Sequence, residues 1–307
     1  MGAYVLKKIF EAVAVCLAVS IIAFVLVQST GDLAIAMGGL DASAEELERL
    51  RQVYGLDQGL VVQYLSWAGQ ALRGNLGMSY FSQEDVLTLI FDRLPVTVTL
   101  ACSSLLLGLA ISVPLGVLCA TKPGSLLDRI CLWMAVLGQA MPPYWVGLLL
   151  IVLFGVNLKV LPISGNQSWA SFVMPAMTLA WFVMPVLLRL ARAGMIDVLS
   201  SDYIRTARAK GLPRRTVLFK HALRNAILPI VSIATVQFGF MLGGSIVVES
   251  VFSLNGIGLL AWNGIQRSDY PVVQAVVLVV AMIFVILNMV SDLLNAALDP
   301  RLMSADT

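Results

Sequence analysis

Six long apolar runs constrain this chain more than any other feature. They cover residues 9–27, 96–120, 130–156, 170–188, 227–248 and 272–293. A helix of roughly 20 apolar residues spans a bilayer. In lipid an open strand leaves its backbone N–H and C=O groups unpaired, so spans of this kind are helical. The chain therefore reads as an all-α, polytopic membrane protein with six transmembrane helices. Composition agrees: only 12% of residues are charged, about half the usual share of a soluble domain, roughly 25%, and the mean hydropathy is +0.89. Prolines fall inside four of these stretches, at Pro114, Pro142-Pro143, Pro175, Pro185 and Pro229. A span tolerates proline where neighbouring helices satisfy the freed carbonyl, which suggests helices packed around one another.

Lys7 and Lys8 precede the first run, as in a signal peptide, and Ala34-Ile35-Ala36 weakly mimics a cleavage site. The run at 9–27 is long for the apolar core of a signal peptide and reads better as an uncleaved first span. The four cysteines, Cys16, Cys102, Cys119 and Cys131, lie in or beside apolar runs and form no CxxC pair. They read as small apolar fillers rather than disulfide or zinc partners.

Two loops are long. Residues 28–95 contain an acidic segment at 44–51 and, at 60–72, apolar residues at helical spacing: Leu60, Val61, Tyr64, Leu65, Trp67 and Leu72. Two or three short amphipathic helices on the membrane surface or over the bundle are expected there. The second long loop, 191–226, is the most basic part of the chain. With the N-terminus inside, 14 of the 20 lysines and arginines fall on the inner side, and the 28–95 loop sets at least eight carboxylates against four arginines. Basic loops stay cytoplasmic, so both termini are expected in the cytoplasm. The net charge of only +2 gives no basic field for nucleic acid.

Nine basic residues lie between Arg189 and Arg224, opposed only by Asp197 and Asp202. Charge alone permits a plain topology signal or attachment to anionic lipid. The pattern is more specific. Residues 201–210 hold no helix breaker, and Ser200, Ser201 and Asp202 are available as N-caps. Gly211-Leu212-Pro213 interrupts, and 214–225 can resume as a helix, with glycine taking a left-handed end and proline opening the next first turn. The expected product is a helix–turn–helix with apolar Leu212 at its tip, ringed by Arg205, Arg208 and Lys210: a docking knob.

Tyr203-Ile204-Arg205-Thr206-Ala207-Arg208-Ala209-Lys210-Gly211, followed by His221-Ala222-Leu223-Arg224-Asn225-Ala226 and Leu228-Pro229, resembles the cytoplasmic loop of ABC importer permeases. The likeness is to the dipeptide, oligopeptide and nickel branch, and to the first of its two permeases. It extends to Arg93-Leu94-Pro95 with Thr97, Thr99, Leu100 and Ala101, and to Val247-Val248-Glu249-Ser250-Val251-Phe252 before Gly256-Ile257-Gly258. Asp269-Tyr270-Pro271, Asp292-Leu293-Leu294-Asn295 and Leu298-Asp299-Pro300-Arg301 complete it. The general permease motif opens Glu-Ala-Ala; here Arg205-Thr206-Ala207 stands in its place, with Gly211 in register. Leu33 after Gly31-Asp32, and Asn255 before Gly256, both replace prolines usual in the branch.

The resemblance implies a five-part machine: this permease, a second homologous permease, two ATPases and an extracytoplasmic solute-binding protein, in a bacterial inner membrane. It implies a first helix at 1–28, an extracytoplasmic (periplasmic) loop domain at 29–95 and a five-helix core at 96–307. In that core the coupling loop 191–226 joins helices 4 and 5. Arg205, Thr206, Ala207, Arg208, Ala209, Lys210, Gly211 and Leu212 would meet an ATPase. Short peptides are the implied cargo, with nickel or a metal chelate as alternative. An ion-coupled secondary transporter is the competing class, and it predicts midplane acids and internal repeats that the sequence lacks.

No lysine follows a glycine, so the chain carries no Gly-Lys-Ser/Thr phosphate loop, and hydrolysis is expected on partner chains. No nucleophile–base set or paired carboxylates at useful spacing are found, and no cofactor or metal is expected. The only histidine, His221, reads as a loop residue. Glu249 and Asp292, near the ends of the fifth and sixth spans, are functional candidates, their positions also permitting a solvated or helix-capping role.

Overall fold

The computed structural model describes residues 2–29, 33–39 and 42–298. Gly31-Asp32 and the Asp299-Pro300-Arg301 tail lie outside them. Every named element among the described residues is helical: α1 Gly2–Ser29, α2 Leu33–Gly38, α3 Ala44–Val53, α4 Leu60–Ala71, α5 Val86–Thr121, α6 Leu126–Ala140, α7 Pro143–Leu150, α8 Val173–Leu199, α9 Asp202–Ala209, α10 Leu223–Phe252, α11 Ile257–Gln266 and α12 Tyr270–Leu298. Seven-residue π-helical stretches occur at Ile151–Asn157 and Thr216–Ala222, and a 3-10 turn at Trp169–Phe172. By length and apolarity, four helices (α1, α5, α8 and α12) can each cross a membrane. The number rises to seven if each of three bent pairs counts as one span, a range that includes the six apolar runs.

The runs and the helices differ in four places, the first being α8, which runs on to Leu199, past the end of the fourth run and into the loop expected at 191–226. The third run breaks by 104° between α6 and α7. Met141 is extended (φ −88°, ψ 126°) because the proline after it disfavours the helical region, and Pro143 then opens α7 at its first position. The second helix starts at Val86, ten residues before the run at 96. Asp85 caps it by accepting the Thr88 N–H at 2.9 Å, so Arg93-Leu94-Pro95 lies on a helix and not in a loop. The fifth helix runs on to Phe252, and Ser253 in the left-handed region (φ 50°) ends it.

The chain divides into two compact units. The first comprises Met1–Thr97 and Asn255–Ile286. In it only 11% of the apolar window of α1 is buried, as for a helix that faces lipid. Its buried stripe meets α4: Ser20 Oγ and Tyr64 OH are 2.8 Å apart, and the Phe24 and Tyr64 rings pack edge-on at 5.5 Å. Ser43 caps α3 by accepting the Glu46 N–H, with Glu45 and Glu46 favourably placed at the positive helix start. The core of this unit joins Leu76, Leu89 and Ile90 to Ile257, Leu260 and Val272.

The second unit comprises Val98–Leu254 and Leu287–Thr307. In α8, 61% of the apolar window is enclosed. Small residues admit the neighbouring backbones. A Cβ on Gly116 of α5 would lie 2.6 Å from the Ala191 Cβ, and one on Gly138 of α6 would lie 2.9 Å from the Pro185 ring. Such close approach is how membrane helices gain packing energy where lipid supplies no hydrophobic drive. Cys119 and Cys131 are buried beside Leu188, as apolar fillers would be.

Candidate functional site in the basic loop

The helix–turn–helix expected after residue 200 is present as α9, a turn, and the π-helical stretch that feeds α10. Gly211 is in the left-handed region at φ +73°. Its N–H bonds the Arg208 carbonyl at 3.0 Å, and the Leu212 N–H reaches the Ala207 carbonyl at 3.4 Å. These are the two bonds of a Schellman motif, which satisfies carbonyls that the helix end would leave orphaned. The serines behave otherwise than expected. Ser201 occupies the N-cap position, but its hydroxyl bonds back to the Val198 carbonyl at 2.6 Å, and Ser200 bonds back to Asp197.

One edge of α9 is anchored. Ile204 and Ala207 are buried among Val117 and Ala120 of α5, Met195 of α8, and Val217 and Ala222 of the π-helical stretch. Across the hairpin, Asn225 Nδ2 donates to Tyr203 OH at 2.7 Å. Of the eight residues singled out by sequence, Ala207 turns inward at 8% exposure, while Arg205, Thr206, Arg208, Ala209, Lys210, Gly211 and Leu212 are exposed. Arg205 bonds Asp202 at 3.2 Å and stays solvated. Leu212, 38% exposed, borders a hollow of about 370 Å³ shared with Thr121, Leu199, Arg208, Arg214 and Val217. The result is a short, held helix presenting cations around an apolar tip.

Sequence reasoning missed what braces this hairpin from below. Arg192, counted there only as a topology charge, bonds Asp128 of α6 through Nε at 2.5 Å and Nη2 at 2.9 Å. Asp128 also accepts the Gly124 N–H at 2.7 Å. A lone aspartate at a loop edge gave no signal of a partner 64 positions away. Glu249 is fully buried and accepts from Ser245 Oγ at 2.9 Å, which removes the solvated reading of that acid.

In the first unit the scattered motifs meet. Thr97 Oγ1 accepts the N–H of Ile257, the opening residue of α11, at 2.9 Å. Arg93 Nε donates to Asn255 Oδ1 at 3.1 Å, a bond that a proline at 255 could not accept through its side chain. Asp269 takes Ser79 Oγ at 2.5 Å and the Tyr80 N–H at 3.0 Å, and Arg267 lies over the Phe81 ring at 3.7 Å. Burial, and then the nearby Asp269 charge, push the Tyr80 phenol well above its ordinary value.

Comparison with known proteins follows the same lines. Residues 112–304 match the family described as binding-protein-dependent transport system inner membrane component, and residues 1–101 match its N-terminal family. The glutathione transport system permease protein GsiC of Escherichia coli O6:H1 (strain CFT073) is 39% identical over 97% of this chain and 98% of its own. The GsiC protein of Escherichia coli K12 is 38% identical over the same shares. Among solved structures, a chain of the MetNI methionine ABC transporter in an inward-facing conformation superposes with a TM-score of 0.57 at 20% identity, covering 69% of this chain and 97% of that one. That likeness concerns the fold. The chain belongs to the family of inner membrane components of binding-protein-dependent transport systems, and is a permease subunit of an ABC importer.

Proposed function

We propose that this permease forms, with a second homologous permease, the path for short peptides, and that the hairpin at 205–212 receives the thrust of an ATPase. The observation that carries the mechanical part is the seating of α9. Ile204 and Ala207 fix one edge in the core, a left-handed Gly211 stops the helix, and Arg205, Arg208, Lys210 and Leu212 project. A short helix fixed on one edge moves with its neighbours as a rigid body, which a lever with two discrete positions requires. Two ATPases and an extracytoplasmic solute-binding protein complete the proposed assembly, with both termini of this chain in the cytoplasm.

Peptide cargo is supported by identity to relatives named for glutathione, itself a tripeptide. Uptake of labelled glutathione and of a labelled dipeptide by cells expressing the whole transporter tests the cargo. Leu212→Cys tests the lever: crosslinking to an ATPase subunit, changed by ATP, is the expected result. Labelling of that cysteine in intact cells by a membrane-impermeant maleimide would sink the orientation and the lever together.

A further inference from the structure

The first unit contains a cleft of about 640 Å³ that plays no part in coupling, walled by α1, α3, α4, the 72–85 segment and the start of α12. Its volume lies in the range of small-molecule sites, about 300–1,000 Å³. Its chemistry is unusual for this chain. Seven of the chain's eleven glutamines line it, together with Asn75. Five aromatic side chains, Phe24, Tyr54, Trp67, Tyr80 and Tyr270, stand among those amides. Among the described lining residues none is charged.

Gln274 is the decisive group. It is 7% exposed, lines the cleft from α12, and has no hydrogen-bond partner among the described residues. Its amide atoms reach the open cleft, where water satisfies them until a guest with complementary groups takes that water's place. An amide offers two donors and an acceptor, a pairing that adjacent hydroxyls on a ring match. The flat aromatic walls suit the apolar faces of such rings. A short peptide with free termini fits poorly, since its ammonium and carboxylate would find no counter-charge on the described walls.

Gln28, Gln63, Gln70, Gln83 and Asn75 already hold side-chain bonds within the fold, whereas Gln52, Gln58 and Gln274 hold none among the described residues. We propose that this cleft binds a neutral saccharide through Gln274, Gln52 and Gln58. The same chemistry comes from two sources: a soluble oligosaccharide, or the headgroup of a glycolipid reaching in beside Phe24 and Val27 of α1, which also line the cleft. The test uses the full-length chain in lipid nanodiscs, titrated with maltose in one arm and doped with a diglucosyl lipid in the other. Tryptophan fluorescence and saturation-transfer NMR read the binding. Saturable binding in either arm is expected, weakened at least about tenfold in Gln274→Leu with no fall in the thermal midpoint, because the lost amide holds nothing in the fold. Trp67→Phe, which keeps a ring against Phe24, should weaken binding less. Four results overturn the proposal: no saturable signal in either arm at about 10 mM headgroup; equal affinity in Gln274→Leu; a binding loss that follows a lowered thermal midpoint; or tighter binding of triglycine or glucose 6-phosphate than of maltose.

Discussion

Arg192 grips both carboxylate oxygens of Asp128, its Nε 2.5 Å from one and its Nη2 2.9 Å from the other, with Asp128 only 1% exposed. This fork pins α6 to the stretch of α8 that leads into α9. Arg192 is partly exposed and Asp128 is buried, so losing Arg192 leaves the carboxylate with its desolvation penalty and only the Gly124 N–H as partner. Arg192→Leu should lower stability by about 1–3 kcal/mol, and the double change Asp128→Leu with Arg192→Leu should recover part of it. Thermal unfolding of the four members of that cycle in lipid nanodiscs checks the claim. Equal stability of wild type and Arg192→Leu would refute it.

Gly211 permits a separation of backbone strain from bulk. Nothing lies within 4 Å of where its Cβ would stand, so an added side chain meets no wall. What it meets is φ +73°, which costs an ordinary L-residue roughly 1–2 kcal/mol. Asparagine tolerates that region, and a β-branched residue does not. Gly211→Asn should keep most of the wild-type uptake, Gly211→Val should lose most of it, and Gly211→Trp should insert in the membrane while transport fails. Uptake assays paired with membrane fractionation read all three. Full activity in Gly211→Val would show that the left-handed stop is dispensable.

Thr97 ties the start of α11 to the first third of α5. Its hydroxyl is fully buried and accepts the Ile257 N–H, one of the donors that a helix start leaves without an internal partner. Thr97→Val preserves shape but removes the acceptor, so a buried N–H loses its bond at a cost of about 1–3 kcal/mol. Thr97→Ser should restore most of the loss. Hydrogen exchange at the Ile257 amide is the direct readout: faster by one to two decades in the valine variant and near wild type in the serine variant.

Much of this was legible in the sequence because each signal was local. Apolar length marked the spans, Gly211-Leu212-Pro213 marked the turn, and the apolar spacing from Leu60 to Trp67 marked α4. The limits were long-range. The break at Pro142-Pro143 was visible as two prolines, but its 104° depends on what α6 and α7 pack against. The partnership of Asp128 with Arg192 and the docking of Ser79 on Asp269, 190 positions apart, could not be read from spacing. Ser201 illustrates a different failure. It was one of three candidate N-caps, with Ser200 and Asp202, and it takes that position, yet its hydroxyl chose the carbonyl of the preceding turn, a competing local bond that composition cannot rank.

Tyr80 gives the first unit a pH signature at the alkaline end. Burial raises its phenol above the ordinary value of about 10, and the Asp269 charge adds to the rise. An acid whose folded value is raised stays protonated in the fold while the unfolded chain releases its proton. The fold therefore loses stability as pH climbs above about 10, and is unaffected by this group below that point. Tyr80→Phe should flatten this part of the alkaline fall while leaving stability at pH 7 nearly unchanged. Asp269→Asn should soften it less, because desolvation is the larger cause. It should also weaken the Ser79 and Tyr80 bonds at neutral pH by about 1–3 kcal/mol, since a neutral acceptor replaces a carboxylate. Thermal midpoints between pH 7 and pH 11 separate these effects, and an alkaline slope unchanged in Tyr80→Phe would contradict the assignment.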